Sequence, residues 1–141
     1  MTKVLLIMYR QLMSDAMMSA LSGNPNFKFF LDKSYKNAEA AARTYMPDIA
    51  LMEIPESKAY HPEDYLIICD GVKSVRPDCK LMLMCPENSS ESRQAAVEAM
   101  RSGRIDDFIY YNVSMDYLES KLEVLSKSQL NEKQKVKEKI S

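Results

Sequence analysis

Hydrophobic residues gather in five short runs along the chain, each bounded by polar or turn-forming residues. The runs cover residues 3–8, 27–31, 48–53, 80–85 and 108–111. Each has the length of a β-strand, and several are apolar at consecutive positions rather than at every second one. Continuous apolar strands are typical of a parallel sheet with helices on both faces, because both sides of each strand are then buried.

Segments with helical spacing lie between these runs. The residues that predict the helical faces are Leu12, Ala16, Met17, Ala20 and Leu21, then Ala38, Ala41, Ala42 and Tyr45, then Leu66, Ile67 and Val72, and finally Leu118, Leu122 and Leu125. Ser114 is placed to cap the last helix. The alternation of strands and helices predicts an α/β protein, a three-layer α/β/α sandwich built on a five-stranded parallel sheet.

The composition changes after Ser126, where "KSQLNEKQKVKEKIS" is rich in Lys and Gln and contains few apolar residues. We therefore predict one domain over residues 1–126, followed by a helical extension or the start of a linker over 127–141. A hydrophobic content of 46% over 141 residues is enough for one packed core.

Charge and cysteine usage narrow the function classes. The net charge of -1 gives no overall positive field to gather nucleic acid or an anionic membrane, so we expect neither to be a direct partner of this domain. Three scattered cysteines, Cys69, Cys79 and Cys85, favour a reducing compartment over a disulfide framework. With no leader-like start and no apolar run of membrane-spanning length, the expected location is the cytoplasm.

The run "PDIALMEIPES" ends on a carboxylate, Glu53, at what should be the carboxyl edge of the sheet. Other candidates have weaker support. His61 is the only histidine, and we interpret it as a solvated loop residue because no orienting partner for a catalytic base is evident. Cys85 is interpreted as a small core residue, and most methionines as core filler. Three methionines, Met17, Met18 and Met100, remain candidates for a pliable contact surface.

Five phrases within residues 3–126 carry a family resemblance. They are "KVLLIMYRQLMSDAMMSAL", "NPNFKFF", "MPDIALMEIP", "VRPDCKLMLMCPENSSE" and "AVEAMRSGRIDDFIYYNVSMDYLESKL". They resemble the CheY-like receiver domain of two-component response regulators, nearest to receivers that precede a LuxR/NarL-type helix-turn-helix domain. The resemblance implies a flavodoxin-like sheet in the order 2-1-3-4-5. If the chain continues past residue 141, it also implies a DNA-binding output domain.

The residues on which receiver chemistry depends are replaced in this sequence. By resemblance, Met8 and Tyr9 stand where two magnesium-binding acids are expected, and Glu53 stands at the phosphoacceptor aspartate. Cys85 replaces a Ser or Thr, and Tyr111, followed by Asn112, replaces a Lys-Pro pair; in the alternative register the lysine position falls on Tyr110. The connection "IPESKAYHPED" also looks longer than usual.

These substitutions predict a pseudo-receiver that is not phosphorylated by the usual route. A thioether and a phenol cannot replace two carboxylates as magnesium ligands. Glutamate is also one methylene longer than aspartate, and a displacement of about 1 Å from productive geometry can cost roughly a hundredfold in rate. We therefore expect no enzymatic activity, no metal and no cofactor.

Three interpretations of Glu53 remain open at this stage. It is a polar strand end satisfied by water or a neighbouring hydroxyl, a side chain long enough to hold the domain in one signalling state, or part of a site for an unknown ligand. If Met8, Tyr9 and Tyr111 close the crevice with no cation inside, desolvation should raise the pKa of Glu53.

The resemblance also implies pairing through the fourth helix, the fifth strand and the fifth helix. The candidate interface residues there are Arg93, Met100, Arg101, Arg104, Tyr110, Tyr117 and Lys121. Charged residues beside tyrosines suit a modest protein interface with a partner or a second copy, although an ordinary solvated face carries the same pattern. Asp106 and Asp107 are expected in the turn before the fifth strand.

Three functions compete on this sequence. The first is a signalling module that works by binding a protein partner or itself, and the second is a phosphoreceiver with unorthodox residues. The third is a flavodoxin-like flavin or nucleotide binder. The third is disfavoured by "MYRQLMSD", which lacks the Gly, Ser and Thr amides of a phosphate cradle.

Overall fold

The computed structural model describes residues 1–56 and 61–140. In these residues the strands are β1 (Thr2–Ile7), β2 (Phe27–Asp32), β3 (Ile49–Glu53), β4 (Lys80–Cys85) and β5 (Asp107–Tyr110). The helices are α1 (Gln11–Leu21), α2 (Ala38–Tyr45), α3 (Pro62–Val75), α4 (Ser90–Arg101) and α5 (Met115–Ile140). The long connection predicted before α3 lies partly outside the described residues. Over the described ranges, no helix has the length and apolarity needed to cross a bilayer.

All neighbouring strands pair in parallel, in the order β2-β1-β3-β4-β5. The predicted fold class is therefore confirmed, and strand ends differ from the sequence expectation by about one residue. Because the strands are parallel, their carboxyl ends meet at one edge of the sheet. Glu53 and Cys85 are the last residues of β3 and β4 at that edge.

Each face of the sheet has its own hydrophobic core. Along β1, Leu5 and Ile7 enter the cluster shared with α2 and α3, while Val4 and Leu6 enter the one shared with α1 and α5. Successive side chains of a strand point to opposite faces. This explains why the strands are apolar at consecutive positions, as the sequence predicts for a sheet covered on both sides.

The buried face of α1 agrees only in part with the predicted one. Met17 and Leu21 are buried as predicted and Ser14 is buried as well, whereas Ala16 and Ala20 are exposed and Leu12 is 85% exposed. The helix begins at Gln11, and its sheet-facing stripe follows Met17 and Leu21, which leaves Leu12 on the solvent side. Met17 is 0% exposed, so its predicted membership of a contact surface is wrong. Met100 is 39% exposed and stays a candidate.

Helix ends use local hydrogen bonds and special backbone conformations. Ser89 caps α4 by accepting the Ser92 amide at 3.2 Å, and Ser114 accepts the Tyr117 amide at 3.1 Å, which confirms the predicted cap. Gly103 follows α4 with φ of 80°, a conformation that costs a glycine little. Met46 ends α2 with φ of 52° and has no such freedom.

At the β5 edge of the sheet, Asp107 is the first residue of the strand rather than part of the preceding turn. One of its carboxylate oxygens accepts the Phe108 amide at 2.8 Å, and the other accepts the Lys121 ammonium at 2.8 Å. Asp106 accepts the Leu81 amide at 2.8 Å and so ties the turn to β4. Helix α5 continues without interruption past Ser126. The division of the chain at that residue stays a prediction.

Candidate functional site

The Glu53 carboxylate is fully buried at the carboxyl edge of the sheet and is bound by the turn between β1 and α1. Its Oε1 accepts the backbone N–H of Tyr9 at 3.1 Å and that of Arg10 at 3.3 Å. Its Oε2 accepts the Nε–H of Arg10 in a direct ion pair. Both oxygens are therefore held by donors of the same chain, rather than by water or a neighbouring hydroxyl as the first interpretation expected.

The position of Glu53 follows from strand pairing. Met52 pairs with Ile7, the last residue of β1, so Glu53 lies opposite the point where the chain leaves the sheet toward α1. The amides of Tyr9 and Arg10 lie in the turn just before α1, which begins at Gln11. A glutamate at the end of β3 is long enough to reach these two amides, and it supplies their acceptor.

Arg10 brings into the site a cation that the sequence pattern does not predict. Its guanidinium carbon lies 3.9 Å from the centre of the Tyr111 ring, and its Nη2 lies 3.2 Å from the Met13 sulfur. Burial alone would lower the pKa of Arg10, but the hydrogen bond and charge of Glu53 raise it, so the side chain is cationic. The premise of a closed crevice without a cation is wrong.

Tyr35 holds the backbone of Glu53 in place. Its hydroxyl donates to the carbonyl oxygen of Glu53 at 2.6 Å, and its ring meets Tyr65 edge to face at 5.1 Å. Burial, and then the charge of Glu53, raise the pKa of the Tyr35 hydroxyl, which keeps it protonated as a donor. The end of β3 is thus held by both its side chain and its main chain.

Tyr111 occupies the position where the resemblance expects a lysine. Its amide donates to the carbonyl of Cys85 at 3.0 Å, which places the ring beside Arg10. Within the described residues its hydroxyl oxygen is buried without a hydrogen-bond partner. Burial and Glu53 raise the pKa of this phenol, so it is neutral. The positive charge comes instead from Arg10, in the turn after β1.

The remaining replaced positions do not fit a magnesium ion. Met8 is 0% exposed in the apolar core, and Tyr9, which is 44% exposed, contributes its amide to Glu53. Cys85 is buried, and burial raises the pKa of its thiol to about 12. Magnesium prefers several hard oxygen ligands. Glu53 is the one carboxylate among these replaced positions, and it is already paired with a guanidinium.

The other candidates lie apart from this cluster. His61 is exposed at the start of α3, 3.4 Å from a Glu91 oxygen, as expected for a solvated residue. Arg104 already forms ion pairs within the chain, with Glu63 at 2.9 Å and with Asp70 at 2.8 Å. Asn112 is exposed beside Tyr111.

The rest of the predicted interface is partly exposed. Arg93, Arg101 and Tyr117 are exposed, whereas Tyr110 is half-buried and meets Phe108 edge to face. Lys121 binds Asp107 and lies 5.6 Å from the centre of the Tyr117 ring. The interface itself stays a prediction.

The fold resembles that of solved response-regulator structures. A CheY-like response regulator receiver domain protein from Methanospirillum hungatei JF-1 is 16% identical, with a TM-score of 0.75 over 94% of this chain and 98% of that one. A response regulator from Thermotoga maritima is 17% identical, with a TM-score of 0.73 over 89% of this chain and 98% of that one. This chain has the CheY-like receiver fold.

The receiver fold also occurs as one part of a longer protein. NtrX from Brucella abortus is 20% identical with a TM-score of 0.80 over 97% of this chain, which spans only 29% of that protein. No family model and no curated protein matches the sequence. The likeness is therefore one of fold alone.

Sequence reasoning missed two residues of the site, Arg10 and Tyr35. Arg10 directly follows the positions of the expected acid pair, and this adjacency is the one signal that could have indicated it. Tyr35 lies in the connection between β2 and α2, in a single helical turn over Tyr35–Asn37. No sequence pattern indicates its contact with Glu53.

Proposed function

We propose that this chain is a receiver-like signalling module of the two-component type that acts by binding a protein partner or itself, without phosphorylation by a metal-dependent route. The ion pair between Arg10 and Glu53 carries this proposal. The receiver fold supports the signalling role, and the replacement of the acidic pair, the hydroxyl and the lysine supports the loss of phosphotransfer.

Phosphoryl transfer to a carboxylate requires a free oxygen and positive groups arranged around the transferring phosphoryl. Here Oε1 of Glu53 accepts two amides and Oε2 accepts Arg10. A nucleophilic attack would first have to remove these donors from a carboxylate that is fully buried. Breaking such a pair leaves an uncompensated buried charge, so the resting site opposes the reaction.

The same contacts weigh against the flavodoxin-like alternative. A phosphate bound after β1 would need the backbone amides of the turn that leads into α1. The amides of Tyr9 and Arg10 already donate to Glu53. A bound anion would have to displace a carboxylate that belongs to the protein.

The decisive experiment is incubation with acetyl phosphate and magnesium, followed by intact-mass analysis, with a receiver that retains the acidic pair as positive control. We expect no phosphoryl adduct on this chain. An adduct that disappears in the Glu53→Gln variant would overturn the proposal. Size-exclusion chromatography of the same sample tests self-association, and an unchanged elution after incubation is the expected result.

The Arg10→Met variant, incubated in parallel, separates two causes of inactivity. If Arg10 alone blocks the carboxylate, the variant gains an adduct while the wild type does not. If the missing acids also matter, neither protein is modified, which is the result we expect because a metal site is required for positioning the phosphoryl group.

A further inference from the structure

The stripe of α5 that faces the sheet changes character along the helix. Its first part, Leu118, Leu122 and Leu125, is buried in the hydrophobic core. The same stripe continues with Gln129, which is 2% exposed, and with the charged residues Glu132 and Lys133. The helix is therefore docked by apolar packing before Ser126 and by polar contacts after it.

The groups that receive the distal part of α5 lie where β3 and β4 begin. The carboxylate of Asp48 accepts Gln129 Nε2 at 3.3 Å and Lys133 Nζ at 3.2 Å. The ammonium of Lys80, a residue 6% exposed, binds the Glu132 carboxylate. We call these five residues the α5 latch: Asp48, Lys80, Gln129, Glu132 and Lys133.

Asp48 and Lys80, the two latch residues outside α5, keep other partners when the distal part of α5 detaches. Lys80 Nζ also lies 3.7 Å from an oxygen of Asp106, and the second oxygen of Asp48 accepts the amide of Lys3 at 2.9 Å. Detachment of the distal helix would thus leave neither charge without a partner. Detachment of the leucine segment would instead expose core side chains to water, which is far more costly.

From these contacts we propose that residues 127–140 form a detachable helical arm, held to the domain by the α5 latch and released independently of the core. On the side of the arm these ion pairs are open to water, because the side chains of Glu132 and Lys133 are 55% and 40% exposed. Ion pairs in contact with water are weak and are screened by salt. The arm is therefore a built-in switch between a docked and a free state. This inference is independent of the chemistry at Glu53.

Native-state hydrogen exchange tests the arm directly. In the Glu132→Gln/Lys133→Gln variant we expect the amides of residues 127–135 to exchange about five- to thirtyfold faster, since the three ion pairs of Glu132 with Lys80 and of Lys133 with Asp48 and Asp78 are lost. The amides of residues 116–125 should keep their wild-type protection. A matched control, Glu123→Gln/Lys127→Gln, makes the same charge change at exposed positions of the same helix and should leave the exchange of both segments unchanged.

Salt supplies a second measurement on the unmodified chain. Raising sodium chloride from about 0.01 M to about 1 M shortens the Debye length from about 30 Å to about 3 Å. Exchange of residues 127–135 should accelerate, while that of 116–125 does not. Protection of the arm that equals that of 116–125 and responds to neither salt nor the variant would overturn the proposal, as would equal effects of the variant and its control.

Discussion

At the scale of single residues, the central feature is a buried carboxylate whose counter-charge comes from the adjoining turn. A buried ion pair need not stabilise a fold relative to apolar residues, but the loss of one partner is costly. Glu53 and Arg10 are in this situation, because Glu53 is fully buried and Arg10 keeps 32% of its side chain exposed.

Removal of the cation should therefore destabilise the protein. For Arg10→Met we expect the free energy of unfolding to fall by about 2–3 kcal/mol, less than the about 3–5 kcal/mol typical of a broken buried pair, because two amides still donate to Glu53. Urea denaturation monitored by circular dichroism measures the change. Arg43→Met, which breaks an exposed pair with Glu39 on α2, should cost less than about 0.5 kcal/mol.

A double-mutant cycle with Glu53→Gln isolates the pair itself. The double variant should be more stable than the sum of the single changes predicts, by at least about 1 kcal/mol, because each single variant already loses the interaction. A coupling energy near zero would mean that Arg10 stabilises the domain through Tyr111 and Met13 rather than through Glu53.

At the scale of elements, the orientation of α1 shows what a hydrophobic pattern leaves undecided. The sequence predicts a single face with Leu12, Ala16, Met17, Ala20 and Leu21, and of these five residues the structure buries Met17 and Leu21. Which residues are buried depends on where the helix starts after the turn at Arg10, which the spacing of apolar residues does not specify.

Alanine substitution distinguishes the buried from the exposed residues of the predicted α1 face. Met17→Ala should lower the free energy of unfolding by about 2–4 kcal/mol, since it leaves a cavity in the core. Leu12→Ala should change it by less than about 0.5 kcal/mol, because the side chain is exposed. Comparable losses in chemical denaturation would indicate that Leu12 packs in solution.

The end of α2 offers a stabilising change. Met46 is 51% exposed and has a left-handed backbone conformation. Met46→Gly should raise the free energy of unfolding by about 0.5–1 kcal/mol, because glycine adopts this conformation without the steric penalty. Thermal and urea unfolding measure the gain. Met100→Gly, a similarly exposed methionine within α4, should instead lose about 1 kcal/mol.

At the scale of the whole molecule, three buried thiols make stability depend on pH. Burial raises the pKa of Cys69, Cys79 and Cys85 to about 12 each. A thiol in the unfolded chain titrates near about 8.5, so above that pH the unfolded state loses protons that the folded state retains. Their contribution is complete below about pH 8.5 and is lost as the pH rises toward about 12.

Urea midpoints measured from neutral pH to about pH 10.5 should therefore decline above about pH 9. The variant with all three cysteines changed to alanine should show a shallower decline, and the slope that remains belongs largely to buried tyrosines. Identical slopes in the two proteins would show that the thiols are not buried in solution. A thiol reagent should likewise label all three cysteines only after unfolding.

The sequence predicts the fold far better than the site. Continuous apolar strands and regular alternation with helices define the sandwich, because burial on both faces leaves a periodic signal. The location of Glu53 follows from the strand that it ends. The partners of Glu53 cannot be predicted in this way, because the direction of the Arg10 guanidinium depends on the backbone of the turn before α1. The contact made by Tyr35 likewise depends on tertiary placement that no spacing records.

The position of Asp107 at the outer strand bears on solubility. An edge strand with free amides is a template for strand addition from another molecule, and charged side chains at the edge oppose this. Asp107 accepts a hydrogen bond from the Phe108 amide and forms an ion pair with Lys121. The opposite edge strand, β2, carries the exposed Lys28. Both open edges of the sheet are charged, which disfavours edge-to-edge aggregation in concentrated solution.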